Sequence, residues 1–201
     1  MEQPKNCHPV SLETCLSFLT SGGRGWAKFY SDNGSRFIRS FDVQMNFISN
    51  DDAAYVSPPD NAEARRTTSF KDDVLLTITG SKIGRVAPIT DDLAGSYISQ
   101  HVAILRPKPS KVNSIFLSFF LSMPSGGQRQ ISKMQYGQTK PGLNFEQISK
   151  FKIPLPPLAF QQQFAQRIQA IETLKATHRQ SLAKLDSLFA SLQHRAFRGE
   201  L

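Results

Sequence analysis

The last fifth of the chain is the stretch that most limits what it can fold into. After Ile153-Pro154-Leu155-Pro156-Pro157-Leu158 there is no further proline, and no glycine before Gly199. Apolar residues then recur at helical spacing, in steps of three and four: Phe160, Phe164, Ile168, Ile171, Leu174, Leu182, Leu185, Leu188 and Leu192. That is the seam pattern of a coiled coil. Only His178 interrupts it, on the position that would join Leu174 to Leu182. About 40 residues at 1.5 Å each make a rod of roughly 60 Å. A chain of 201 residues needs no such rod for its own core. The rod therefore reads as a spacer and docking surface, and everything before it as the head it carries.

Charge separates the same two parts. The net charge is +8 and the pI near 9.7. Residues 1–157 hold 18 Lys and Arg against 13 Asp and Glu, and residues 158–201 hold 6 against 3. Within the head the excess is concentrated between Arg106 and Lys152, where Glu146 is the sole acid. A basic balance points to nucleic acid, to an anionic surface, or to solubility alone. Cys7 and Cys15 are too few for a disulfide framework or a zinc site and read as two reduced thiols. The stretch from Met1 to Asn6 lacks the apolar core of a signal peptide. The longest apolar run, Ile115 to Met123, is broken by serines and too short for a bilayer. A soluble cytoplasmic chain with no membrane role is expected.

In the head, Pro9-Val10-Ser11-Leu12-Glu13 reads as entry into a short helix with Ser11 as N-cap and Leu12, Cys15, Leu16 and Leu19 on its buried face. Ser21-Gly22-Gly23-Arg24-Gly25 follows; it either lets backbone approach a phosphate or only stops the helix. Ser35 to Ser40 alternates as a strand does, and Val43 to Ile48 is expected to continue it past a bend. Asn50 to Arg66 reads as a long polar loop with a short helix over 62–66. Val74 to Thr79 and Lys82 to Ala87 predict a hairpin closed by Gly80-Ser81 in a type II′ turn, which would put Lys82 and Arg85 at or near its tip. Ser99 to Leu105 is another buried strand. Asn113 caps a helix from Ser114 to Met123, and Gln128 to Lys133 is a second helix. Asn144 and Gln147 have capping-box spacing, and Phe151-Lys152-Ile153 is a last strand. These elements predict an α+β chain. Its head carries a twisted, largely antiparallel β-sheet with short helices (1–153), followed by one long coiled-coil α-helix (154–201).

Catalytic constellations are missing. Pro59-Asp60 with Glu63-Ala64-Arg65 has acids packed three apart in a loop and no lysine, unlike a nuclease site. Neither Pro58-Pro59 nor Pro156-Pro157 follows Asn or Asp, so an amino-methyltransferase motif is absent. The glycine loop lacks the spacing and Lys-Ser/Thr of a P-loop. His8, His101, His178 and His194 do not pair at metal-ligand spacing, so no metal is expected. His101 in a strand reads as a hydrogen-bonded structural residue.

Several stretches, in their order and spacing, carry a family resemblance. They are Asp72-Asp73-Val74-Leu75-Leu76-Thr77, Gly80-Ser81 with Ile83-Gly84-Arg85-Val86-Ala87, and Gln100-His101-Val102-Ala103 with Leu105-Arg106-Pro107. Gly137-Gln138-Thr139 with Gly142-Leu143-Asn144, the proline stretch, Gln161 to Ile168, and Ala196-Phe197-Arg198-Gly199-Glu200-Leu201 complete the set. Together they resemble one half of the specificity subunit of a type I restriction–modification enzyme over nearly the whole chain. Phe160 departs from the acidic residue expected before Gln161.

The resemblance implies a target recognition domain followed by a conserved-region helix, with no catalytic role of its own. It implies double-stranded DNA as ligand, with each unit reading half of a split site. A second half, or a second copy, would pack through antiparallel helices. DNA methyltransferase subunits would dock on the helices and bind S-adenosylmethionine, leaving this chain without a cofactor, and a restriction/translocase subunit would join for cleavage. The setting would be a prokaryotic cytoplasm, at the nucleoid.

Residue chemistry agrees with DNA reading: Gln pairs bidentately with adenine and Arg with guanine, while Lys contacts phosphate. Candidate contacts to bases or the adjacent backbone are Arg129, Gln135, Tyr136, Gln138 and Thr139, and the phosphate candidates are Lys82, Lys133 and Lys140. Each residue taken singly is also compatible with solvated loop surface. The seam candidates are Phe164, Ile168, Ile171, Leu174, His178, Leu182, Leu185, Leu188 and Leu192. A rod of roughly 60 Å exceeds one DNA turn of about 34 Å, so paired rods can separate two readers. Two other readings remain: a coiled-coil adaptor whose basic head binds an acidic protein, and a recognition domain from a fused methyltransferase–nuclease.

Overall fold

A computed structural model describes residues 8–135 and 142–200, which leaves Cys7, Tyr136, Gln138, Thr139 and Lys140 outside the described residues. It divides into two units, Met1–Gln161 and Gln162–Leu201. The fold is α+β, with antiparallel pairing dominant in the sheets and one long helix at the C-terminal end.

The central sheet of the first unit has the order β2-β9-β6-β7, from β2 (Leu16–Ser21), β9 (Val102–Pro107), β6 (Val74–Thr77) and β7 (Val86–Pro88), all antiparallel. Strands β6 and β9 read as continuous apolar runs because both of their faces are covered. Val74, Leu76, Ala103 and Leu105 join one cluster with Leu117 and Leu121 of α2 (Ser114–Ser122) and with Ile131 and Ile148. Leu75, Val102 and Ile104 point the other way, into a cluster with Ile38 and Ile98. Those two residues belong to a second sheet, β3-β5-β4-β8, made by Tyr30–Ser31, Ala54–Val56, Ser35–Ile38 and Tyr97–Ile98. The single sheet expected from the sequence is thus two four-stranded sheets and a two-stranded one that pairs Pro9–Ser11 with Lys152–Pro154. Trp26 fills a smaller core on the second, stacked on Phe37 with ring centroids 5.4 Å apart.

Local signals that agree with long-range pairing are realised. Asn113 Oδ1 accepts the Phe116 N–H at 3.1 Å and caps α2. Asn144 and Gln147 form the full capping box of α4 (Phe145–Ser149). The short helix α1 (Ala62–Arg66) starts under Asn61, and α3 spans Arg129–Gln135.

Four expectations fail where a distant partner outbids a local preference. The helix expected from Ser11 is one tight turn, Leu12–Cys15, between β1 (Pro9–Ser11) and β2. Strand β1 pairs with β10 (Lys152–Pro154), and the Ser11 hydroxyl accepts from Lys152 Nζ at 2.8 Å instead of capping. Val43 to Ile48 is a tight reversal rather than a strand, closed by Gln44 N–H donating to Phe47 O at 2.9 Å with Asn46 at φ 67. Gly80-Ser81 does not close the hairpin. Ile78 leaves β7 to donate its N–H to His101 O at 2.9 Å and to accept from Leu143 N–H at 2.9 Å, and Thr79 pairs with Gly142. The reversal comes later, at Lys82–Arg85, where Gly84 takes φ 91, a value that glycine alone adopts without cost. Finally, Ser99, Gln100 and His101 form the turn before β9 and are not part of the strand, with Val102 N–H donating to Ser99 O at 3.0 Å. Strands β3, β5 and β8 have two or three residues each and were not expected.

The long helix α5 runs Leu158–Phe197, 40 residues without a break. Its first turn is fixed within the first unit by Gln161, whose side chain is fully buried. Oε1 of Gln161 accepts the Asn113 N–H at 2.9 Å, and Nε2 donates to Pro156 O at 2.8 Å.

Candidate nucleic-acid interface

One loop, Ile78–Arg85, carries Lys82, the first of the sequence-predicted contacts. At its far end Lys82 is exposed at the reversal. Gly84 O accepts from Gln128 Nε2 at 2.8 Å, which fixes the start of α3 against this loop. Arg129 and Lys133 stand four apart on the exposed side of α3. Among the described residues none of these three cations forms an ion pair. Gln135 is half-buried, and its Nε2 is buried with no hydrogen-bond partner among the described residues.

At its near end the same loop lines a cleft of about 440 Å³. Ser21, Arg24, Thr79, Gln100, His101 and Asn144 supply its polar groups. Gly142, where the chain re-enters the described region after 136–141, is paired with Thr79 at the cleft edge. Lys82 does not line the cleft. Arg24, Gln100 and His101 were not among the sequence-predicted contacts. The glycines around Arg24 and the Gln100-His101 pair were visible in the sequence, but the first read equally as a backbone approach to phosphate or a helix stop, and the second as part of a strand.

His101 and Gln100 also border a neighbouring hollow with Arg39 and Phe41. Asp42, 1% exposed, accepts from the Arg39 backbone N–H at 2.8 Å and from Nη2 at 2.9 Å. Burial disfavours the charged form of Arg39, but the hydrogen bond and charge of Asp42, with Asp52 beside it, outweigh this and hold the guanidinium above its usual pKa. The Arg39 guanidinium lies 4.0 Å from the centre of the exposed Phe41 ring. Among the described residues no three His, Cys, Asp or Glu side chains stand close enough to share a metal ion. No described helix is long and apolar enough to cross a membrane.

On α5, Phe164, Ile171, His178, Leu185 and Leu192 fall seven residues apart. Leu174 and Leu188 flank this line on one side, and Ile168 and Leu182 on the other. Phe189, overlooked in the sequence, lies within the same stripe. From Ile171 onward every one of these side chains is exposed, Leu185 and Phe189 by 62% each.

The model of the type I restriction modification DNA specificity domain matches residues 31–187, and the chain belongs to that family. Among curated proteins, the type I restriction enzyme EcoBI specificity subunit of Escherichia coli is 25% identical over 173 residues, which cover 84% of this chain and 36% of that protein. Among solved structures, a chain from a study of complex assembly and conformational transition in the type I R-M system covers all of this chain with TM-score 0.62 at 21% identity. The HsdS subunit from Thermoanaerobacter tengcongensis does so with TM-score 0.59 at 20% identity. The S subunit from M. genitalium matches 90% of the chain with TM-score 0.61 at 13% identity. The chain spans under half the length of each of these proteins.

Proposed function

We propose that this chain is a DNA-recognition subunit of a type I restriction–modification system. In this reading, residues 1–153 form the target recognition domain and read one half of a bipartite site. Residues 154–201 form the helix that pairs with a second specificity half, or with a second copy, and holds the methyltransferase and the nuclease/translocase subunits. The chain supplies no catalytic group and binds no cofactor; S-adenosylmethionine belongs to the methyltransferase. The observation that carries the reading is the family match, which runs from the second sheet through most of α5. The exposed cations beside the Ile78–Arg85 loop support it, because phosphate attraction supplies much of the affinity of such proteins.

A gel shift tests it. The chain mixed with the methyltransferase subunits of its own system should retard a duplex carrying the system's methylation site more than a scrambled duplex. The chain alone should bind duplex weakly and with strong salt dependence. Equal retardation of both duplexes by the complete mixture would refute sequence recognition.

A further inference from the structure

Arg24 is held by packing that leaves its loop no freedom. A Cβ on Gly22 would stand 1.8 Å from Ile98 O, and one on Gly23 would stand 2.1 Å from Trp26 Nε1. Gly22 is therefore required for close approach to Ile98 and Ser99, and Gly23 for close packing on Trp26. The Arg24 backbone N–H donates to Glu63 Oε1 at 3.3 Å. Its side chain is exposed in the cleft, and among the described residues its guanidinium has no partner. Backbone fixed and fork free is the state in which an arginine loses least on binding.

Gln100 enters the same cleft from the turn before β9, where His101 holds it. His101 Nδ1 lies 2.5 Å from Thr79 Oγ1, and Nε2 lies 3.2 Å from the Gln100 amide nitrogen. Either the imidazole Nε2 accepts from the amide, or the amide is turned and its oxygen accepts from Nε2–H. In both arrangements the atom that meets His101 keeps a second hydrogen or lone pair, so Oε1 and Nε2 of Gln100 are both still open to a ligand. A guanidinium fork and a held amide are the groups that pair bidentately with guanine and adenine edges. A phosphate site would be lined with several cations; among the described residues Arg24 is the sole Lys or Arg lining this cleft, and a neutral amide adds little to anion binding.

We propose that Arg24 and Gln100 are specificity-determining residues that read base edges of duplex DNA, with His101 and Thr79 as positioning residues for Gln100. This rests on the DNA-recognition reading above. Phosphate contacts then fall to the flanking Lys82, Arg129 and Lys133, the usual division between positioning and reading contacts.

The test is selection from duplexes with a randomised core by the chain assembled with its methyltransferase subunits, followed by sequencing of the bound fraction. Arg24→Ala should relax preference at one guanine position, by about 5- to 150-fold, and leave the rest of the motif intact. Arg24→Lys should relax the same position, because an ammonium cannot replace the fork. Gln100→Ala should relax a different position. His101→Ala should relax the Gln100 position alone, and His101→Gln, which places an amide near the Nε2 site, should restore it. An unchanged motif in Arg24→Ala and Gln100→Ala would overturn the proposal while leaving DNA recognition intact. So would a uniform loss across all positions in Arg24→Ala, since that marks a phosphate contact. Absence of any enriched motif in the wild-type assembly would instead refute the DNA-recognition reading itself.

Discussion

Asp73 has no exposed side-chain surface, and its oxygens accept from Arg106 Nε and Nη2 at 2.7 Å each. Oδ2 also accepts the Phe70 N–H at 2.8 Å, and the Arg106 guanidinium lies 3.9 Å from the centre of the Phe70 ring. The pair ties β9 to the start of β6. Burying such a pair is not in itself strongly stabilising, but breaking it is costly because one charge stays behind without its partner. Asp73→Ala should therefore lower stability by about 3–5 kcal/mol. Arg106→Leu removes the opposite charge, so the double variant should lose clearly less than the sum of the single losses. Urea unfolding of the four proteins reads this directly. Strict additivity would show that the two residues act independently, despite their geometry. Asp73 and Arg106 both lie in stretches that carried the family resemblance, so their importance was visible in the sequence. Their pairing across 33 positions was not, because nothing local specifies it.

At the scale of elements, legibility followed the range of the interactions. Helix α5 was readable from Leu158 onward because its pattern is local and repeated, and the caps at Asn113 and Asn144 need only a residue three positions away. The tight turn at Leu12–Cys15 and the late reversal at Gly84 were not readable, because β10, His101 and Leu143 determine them from far along the chain. The same dependence hid the cleft, whose polar groups come from four separate loops. The apolar stripe of α5 yields two predictions. Leu185 is 62% exposed in this chain and central to the stripe. If the stripe is a seam, Leu185→Asp should leave the head folded and weaken self-association or methyltransferase docking, since burying a Leu is worth about 1.5–3 kcal/mol and the carboxylate adds a desolvation cost. Sedimentation and pull-down check this, and no change in either would exclude the seam. His178 occupies the seven-residue line between Ile171 and Leu185. A polar residue there fixes register at the expense of stability. His178→Leu should tighten association and broaden it to larger assemblies, both measurable by sedimentation. A neutral outcome would identify a solvated gap.

The head proposed to bind DNA carries an excess of positive charge, so the decisive prediction separates charge from sequence reading. Lys82 stands exposed at the end of the Ile78–Arg85 loop, beside the start of α3. In the assembled methyltransferase, Lys82→Ala should weaken binding to all duplexes alike. It should also make the slope of log affinity against log salt shallower by about one unit, the signature of one lost phosphate contact. Gln138, outside the described residues, is by its sequence a candidate base reader. Gln138→Ala should leave non-specific affinity and salt slope nearly unchanged while costing about 1–3 kcal/mol at the cognate half-site. A duplex panel varied one position at a time distinguishes the two, because loss of a base reader relaxes a single position. Loop distortion would depress every position together and assign Gln138 to backbone or loop structure. If neither substitution changes DNA binding or methylation, the recognition surface lies away from the Ile78–Arg85 loop.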